Sequence, residues 1–442
     1  MSRCLDAKQG VHHPVIAAQL RFCQPSIMRT LITLIALIVP AALCGQAPAW
    51  IRQEASKLQP QVVEWRRDFH AHPELSNREF RTGAKVEEIL KGFGIETRRV
   101  AGHGVIGVLK GALPGPVVAL REDMDALPIQ EAVDVPWKST VPGVMHACGH
   151  DAHSAMLLGA AKLLTAHKAE LRGTIVFLFQ PAEEGVPEHE EGGARRMIAE
   201  GALDHPKVEA VYGLHQIPED PVGTLGWRSG PLMAGSDTWR LTLRGVMSHG
   251  AAPHRGNDTI LMAAEAIQAL QAIRSRRIDP VKPFVLTVGT IHGGNRHNII
   301  ADKVELAGTM RTFEPAVRER AIALIHETLK GVCAVHGGSY EFTLHVDANP
   351  PVDNDPRLAA AVRPLLANLG KVVDHDPIMG AEDFAHYQQK IPGFFLFLGT
   401  GNPAKGSVSG NHTPTMNLDE DALQTGVAAL ATMAWGYADI RP

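Results

Sequence analysis

A layered α/β fold, with its chemistry at the carboxyl ends of buried strands and a smaller α+β unit inserted into it, is what this sequence predicts. Three observations carry that expectation. Short continuous apolar runs alternate with amphipathic helical stretches, the runs lead into Asp, Glu or His, and between residues 232 and 350 the rhythm changes. At 442 residues the chain is too long for one core, and 45% hydrophobic with 20% charged residues is ordinary globular composition. A formal net charge of -4 and the absence of a long Lys/Arg run give no electrostatic reason to expect nucleic acid. The expected partner is a small molecule.

Residues 1–27 carry no structural pattern, and either Met1 or Met28 serves as the start. Met28-Arg29-Thr30 opens onto the apolar run Leu31 to Val39, followed by Ala47-Pro48-Ala49, a small-x-small cleavage site. The run is too short for a membrane span, so a signal peptide over 28–49, cut near Ala49, predicts a periplasmic or secreted protein with no membrane attachment afterwards. A lipoprotein anchor at Cys44 is the alternative, although Leu43 directly before the Cys is unusual there. Removing the leader takes Cys4, Cys23 and Cys44 with it and leaves Cys148 and Cys333, which is no disulfide scaffold.

From Trp50 onward, helices are expected over 61–69 and 84–92, then a strand over 104–109. The runs 116–121, 173–179 and 208–214 read as strands buried on both faces. The first leads into Glu122-Asp123-Met-Asp125, the second into Glu183-Glu184 and the third into His215. Open α/β sheets place ligands there, beyond the carboxyl ends of strands. A helix follows over 154–164. The insertion reads as strand 238–243, helix 259–274, strands 284–291 and 304–312, helix 317–336 and strand 340–346, a split βαβ, ferredoxin-like (βαββαβ) unit. After Pro350-Pro351 the alternation resumes, and the strand 394–398 leads towards His412. The expected layout is a leader (1–49), a metal-binding layer (50–231 and 351–442) and an insertion (232–350).

Met145-His-Ala-Cys-Gly-His-Asp-Ala-His153 and Gln180-Pro-Ala-Glu-Glu-Gly185 look like two halves of one metal-hydrolase site. Thiolate, imidazole and carboxylate are the ligand types that borderline divalent metals take, and a second Glu beside a ligand Glu is a common way to place a general base. Gly149 permits the tight backbone that lets Cys148 and His150 converge. A lone Cys-x-His is more often incidental than metallated. Here His150, Glu184, His215 and His412 fall at expected strand ends or adjoining loops, with Asp123, Asp125 and Glu183 nearby. A nucleophilic Cys148 is the rival, and it leaves the paired Glu unexplained.

These residues resemble the aminoacylase-like metallopeptidases, in the branch of hippurate hydrolases, N-acetyl-amino-acid deacetylases and plant indole-acetyl-amino-acid hydrolases. The motifs appear in family order across nearly all of the chain after the leader: His70-Ala-His-Pro-Glu-Leu75, Arg121 to Pro128, Met145 to His153, Gln180 to Gly185, Gly213-Leu-His215, Gly308-Thr-Met-Arg311, Gly380-Ala-Glu-Asp-Phe384 and His412-Thr-Pro414. The resemblance implies two divalent ions per chain, bridged by Cys148, with His150 and His215 on one side and Glu184 and His412 on the other. It makes Glu183 the base that deprotonates a shared, metal-acidified water. Asp123 and Asp125 would orient the ligands, although a solvated loop carboxylate is the other reading of each.

In the insertion the resemblance assigns His249 to the tetrahedral oxyanion, Asn298 to substrate contact and Arg311 to the substrate carboxylate, and it implies a homodimer with the insertion as lid and contact surface. Asn298 and Arg311 would equally serve as ordinary surface residues. Gly245-Val-Met-Ser-His249 and Asn298-Ile-Ile-Ala301 depart from the family pattern, and Pro187-Glu-His-Glu-Glu191 is an extra acidic loop. His146, His153, His292 and His297 receive no role, and Cys333 reads as core. The expected activity is hydrolysis of the amide in an N-acyl-amino acid, with zinc or manganese, or else cobalt or nickel. A dipeptidase or carboxypeptidase and a non-catalytic metal or peptide binder are the alternatives.

Overall fold

The computed structural model of the protein describes residues 48–187, 189–345 and 348–441. Residues 1–47 of the expected leader, with Cys4, Cys23 and Cys44, lie outside these.

The larger of two main sheets has eight strands. In spatial order they are Glu96–Val100, Gly104–Lys110, Arg172–Gln180, Leu113–Asp123, Ala210–Pro221, Gly393–Gly401, Thr224–Trp227 and Lys371–Asp374. Its centre is parallel: Leu113–Asp123 pairs with Arg172–Gln180 on one side and Ala210–Pro221 on the other, and Ala210–Pro221 pairs in turn with Gly393–Gly401. These four carry the Val/Ile/Leu/Phe-rich runs, because a parallel strand under helices on both faces has no solvated side. One face is covered by Ala49–Ala71, His150–Ala166 and Leu423–Ile440, which pack on each other around Phe69, Leu157, Leu164 and Leu430. The opposite face carries Gly193–Ala199 and Ala385–Gln388 over Val211, Phe384 and Phe395.

The second sheet has four antiparallel strands in the order Phe284–Gly293, Lys303–Thr312, Gly235–Arg244, Ser339–Leu344. Helices Thr259–Arg276 and Pro315–His336 close a separate core around Trp239, Leu270, Leu306 and Leu329. This is the split βαβ order, with the first strand between the third and fourth. A two-stranded ribbon, Ser248–His249 against Ile299–Ile300, lies outside the expected elements. His215 stands inside its strand rather than beyond it. The strand continues to Pro221 because its backbone stays paired with Gly393–Gly401, Phe397 lying opposite His215.

Candidate metal centre

Gly149 sets the geometry of the Cys148–His150 pair. It is the N-cap of His150–Ala166 at φ +91°, and a Cβ there would stand 2.6 Å from Gln216 Cγ. Only glycine meets both demands. Gly149→Ala is expected to cost about 1–3 kcal/mol of stability and to lower bound metal, read by thermal unfolding and elemental analysis.

Cys148 Sγ lies 3.3 Å from His215 Nε2. The His215 Nδ1–H donates to the Gln216 carbonyl at 2.6 Å, which leaves the Nε2 lone pair facing the thiol. His150 is arranged the same way: Nδ1–H donates to Asp125 at 3.2 Å, and the buried Nε2 has no hydrogen-bond partner. That orphaned nitrogen is 3.8 Å from Glu184 Oε1 and 4.0 Å from Glu183 Oε2. Glu184 Oε1 is itself without a hydrogen bond and stands 3.2 Å from His412 Nε2, on a ring half open to solvent. Ligating atoms of Cys148, His150 and His215 form one compact group, and those of Cys148, Glu184 and His412 form a second. Two groups that share a sulfur, each with a buried lone pair lacking a proton donor, suit two divalent ions.

The electrostatics favour cations. Asp123, Glu183, Glu382 and Asp383 surround one buried guanidinium, Arg121, whose ion pairs reach Asp123 at 3.1 Å, Glu382 at 3.1 Å and Asp383 at 2.7 Å, and Asp125 and Glu184 add further acid beside the ligand histidines. Burial, with Glu184 and Glu183 adding to it, pushes the Cys148 thiol well above its ordinary range, the reverse of what a cysteine nucleophile needs. Without metal, and against burial, which alone would lower it, Asp123 and Asp125 raise the His150 imidazole to about 10, so these carboxylates favour positive charge at the point where a bound ion would replace that proton. Burial, then Glu382 and Glu184, hold the Glu183 carboxyl well up. Burial and the neighbouring His153 keep His215 neutral, as a ligand must be.

Beside the expected Asp123 and Asp125, His153, Gln216 and Asp383 contribute without a role assigned to them from sequence. Asp125 accepts from His150, from the Ser76 hydroxyl at 2.6 Å and from the Glu184 amide at 3.1 Å. His153 donates from Nδ1 to Asp123 at 2.7 Å and accepts the Gln216 amide on Nε2 at 2.9 Å, so both nitrogens are engaged and it ties two strands together. Gln216 donates to the Cys148 carbonyl at 2.8 Å and to Asn411, next to His412, at 2.6 Å. The Asp383 amide donates to Glu183 Oε1 at 3.4 Å.

The insertion residues stand apart from this cluster. His249 is on the ribbon opposite Ile299, and Asn298 immediately precedes that strand, its carbonyl accepting from the Gly250 amide at 2.8 Å; both residues are exposed. Arg311 is on the four-stranded sheet, opposite Ser236. No hydrogen bond or ion pair joins any of the three to the cluster among the described residues.

The sheet, the inserted unit and a thiolate-centred double ligand group define a class: metal-dependent hydrolases of amide bonds, acting through a two-metal site. Comparison with known proteins places the chain within that class. It belongs to the peptidase family M20/M25/M40, whose profile matches residues 119–435. It is 40% identical over 386 residues to thermostable carboxypeptidase 2 of Saccharolobus solfataricus, covering 87% of this chain and 97% of that one. It is 39% identical to the N-acetylcysteine deacetylase of Bacillus subtilis, with 84% and 96% covered. The crystal structure of the Bacillus subtilis YXEP protein, a dinuclear metal-binding peptidase of the M20 family, superposes with a TM-score of 0.76 at 36% identity, covering 87% of this chain and 99% of that one.

Proposed function

We propose that the protein hydrolyses the amide between an acyl group, N-acetyl, benzoyl or similar, and an amino acid. The observation that carries this is the Glu183–Glu184 pair. Glu184 completes a ligand group with Cys148 and His412, while Glu183 reaches the same space and is spare for proton transfer. A protein that merely held metal would have no use for it.

Cys148, His150 and His215 would hold one ion, and Cys148, Glu184 and His412 would hold the other. Zinc suits thiolate and imidazole, manganese suits the carboxylates, and cobalt or nickel fit the same donors. Such ions supply Lewis acidity, polarising the amide carbonyl and acidifying water. Glu183 takes the water's proton and passes it to the departing amine. Asp123 and Asp125 fix the histidines and the Glu184 backbone. Asn298 contacts the substrate and Arg311 holds its carboxylate. In support, the Arg311 guanidinium is half-buried with no hydrogen bond or ion pair among the described residues, its neighbour Asp237 being taken by both arms of Arg318 at 2.7 and 2.8 Å.

The substrate class is tested by chelating the protein, reloading it with zinc or manganese, and assaying N-acyl-amino acids beside dipeptides. Release of free amino acid from the N-acyl compounds is expected. Cleavage of dipeptides alone would favour the carboxypeptidase reading, for which a carboxypeptidase relative at 40% identity speaks. Bound metal with no turnover on either set would favour a binding protein.

A homodimer in which His249 reaches the partner's site completes the reading. Val246, Met247, Ile260, Leu261 and Ile291 are exposed apolar side chains of the insertion, and Val246 and Met247 lead directly to His249. Mixing His249→Ala with Glu183→Gln protein is expected to restore roughly a quarter of wild-type activity if His249 acts across the interface, and none if it acts within its own chain. Export with cleavage near Ala49 is also proposed. Such a cut keeps Trp50, which stacks on His167 at 3.7 Å, and N-terminal sequencing of the mature protein tests it.

A further inference from the structure

The motif His70-Ala-His-Pro-Glu-Leu75 and the residues after it have no task in the reaction above. They link helix Ala49–Ala71 to helix Phe80–Gly92, and their side chains reach the loops of the metal centre. Glu74 caps the second helix, accepting from the Arg81 amide at 3.0 Å and the Thr82 amide at 2.8 Å. Glu79 stands at that helix's N-cap and makes no cap bond. Its fully buried carboxyl turns the other way, and Oε1 accepts from the Ala182 amide at 2.8 Å.

Ala182 has φ +55°, a left-handed conformation that a residue with a side chain keeps only when its surroundings hold it there. Glu183 is the next residue. At the far end of the turn the Glu184 amide donates to Asp125, which is itself held by Ser76. Two acids therefore pin the turn, Glu79 at its entry and Asp125 at its exit.

We propose that Glu79 is a positioning residue for Glu183: its buried acceptor oxygen locks the left-handed turn at Ala182 and so aims the Glu183 carboxylate into the site. The inference rests on Glu183 being the base. Burial, and then the charge of Asp125, push the Glu79 carboxyl up to about 8. What Ala182 needs from it is an acceptor oxygen at this reach, and glutamine supplies the same oxygen at the same length.

Glu79→Met keeps the volume and removes the acceptor, while Glu79→Gln keeps both. With the metal-loaded enzyme, Glu79→Met is expected to lower kcat about tenfold to a hundredfold, with KM and bound metal unchanged. Deuterium uptake at the Ala182 amide is expected to quicken in the same variant. Glu79→Gln should match wild type in all four readouts. A Glu79→Met enzyme with full kcat, a Glu79→Gln enzyme as impaired as Glu79→Met, or loss of metal in either would overturn the proposal. Failure of the base assignment is a separate result, seen as activity in Glu183→Gln, which needs no change at Glu79.

Discussion

Glu183→Gln is expected to bind metal as the wild type does and to lose about 10²- to 10⁴-fold in kcat, the span usual for a removed general base. The geometry separates the two effects. Neither compact group centred on Cys148 includes Glu183, so ligation should survive its change. Glutamine keeps the size of the side chain and an oxygen to accept the 3.4 Å contact from the Asp383 amide, and it loses only the capacity to take a proton. Stability should not fall. In the metal-free protein Glu183 sits among Glu382, Glu184 and Asp383, whose charges disfavour its ionised form, so a neutral amide relieves repulsion there, whereas bound cations favour the carboxylate that takes a proton. The expected result is two metals by elemental analysis, a melting temperature in chelator at or above that of chelated wild type, and hydrolysis near background. Turnover close to wild type in this variant would sink the mechanism, and loss of metal would make Glu183 a ligand.

How much of this was legible without coordinates depends on the residue. The parallel strands were readable because burial on both faces forces continuous apolar runs, and the split βαβ insertion because its helices and strands keep their own periods. The short ribbon carrying His249 and Ile299 was not readable, since two-residue strands leave no period to detect. Helix Ala49–Ala71 proved longer than the expected 61–69, its first turns being set by packing against Leu423–Ile440 rather than by a pattern of their own. In the candidate site, the sequence picks out Cys148, His150, Glu184, His215 and His412 as candidate ligands because metal chemistry restricts residue type, and the fold brings their ligand atoms together. Arg121, His153, Gln216 and Glu79 could not be picked out in this way. Their importance lies in which backbone amide or carboxylate they meet across the fold, and sequence spacing does not encode it.

Cys148→Ala should produce the other large loss, and for a different reason. Cys148 is the one side chain common to both ligand groups, so its removal leaves His150 with His215 on one side and Glu184 with His412 on the other. Two ligands rarely hold a divalent ion in competition with water, whereas three or four do. Bound metal is expected to fall from two ions per chain to none and activity to background, while His412→Ala, which spares Cys148, His150 and His215, should keep one ion. Thermal unfolding gives an independent reading, because a ligand that binds only the folded state stabilises it in proportion to ln(1 + [L]/Kd). A chelator should therefore lower the melting temperature of the wild type and leave that of Cys148→Ala where it was. The thiol itself contributes little to that difference, since removing one small buried group costs about 1 kcal/mol whether or not metal is present. If Cys148→Ala kept one ion, the sulfur would serve a single metal. The second would then need a bridging carboxylate, and Asp123 and Asp125 could not supply it without giving up His153 and His150, the histidines they hold.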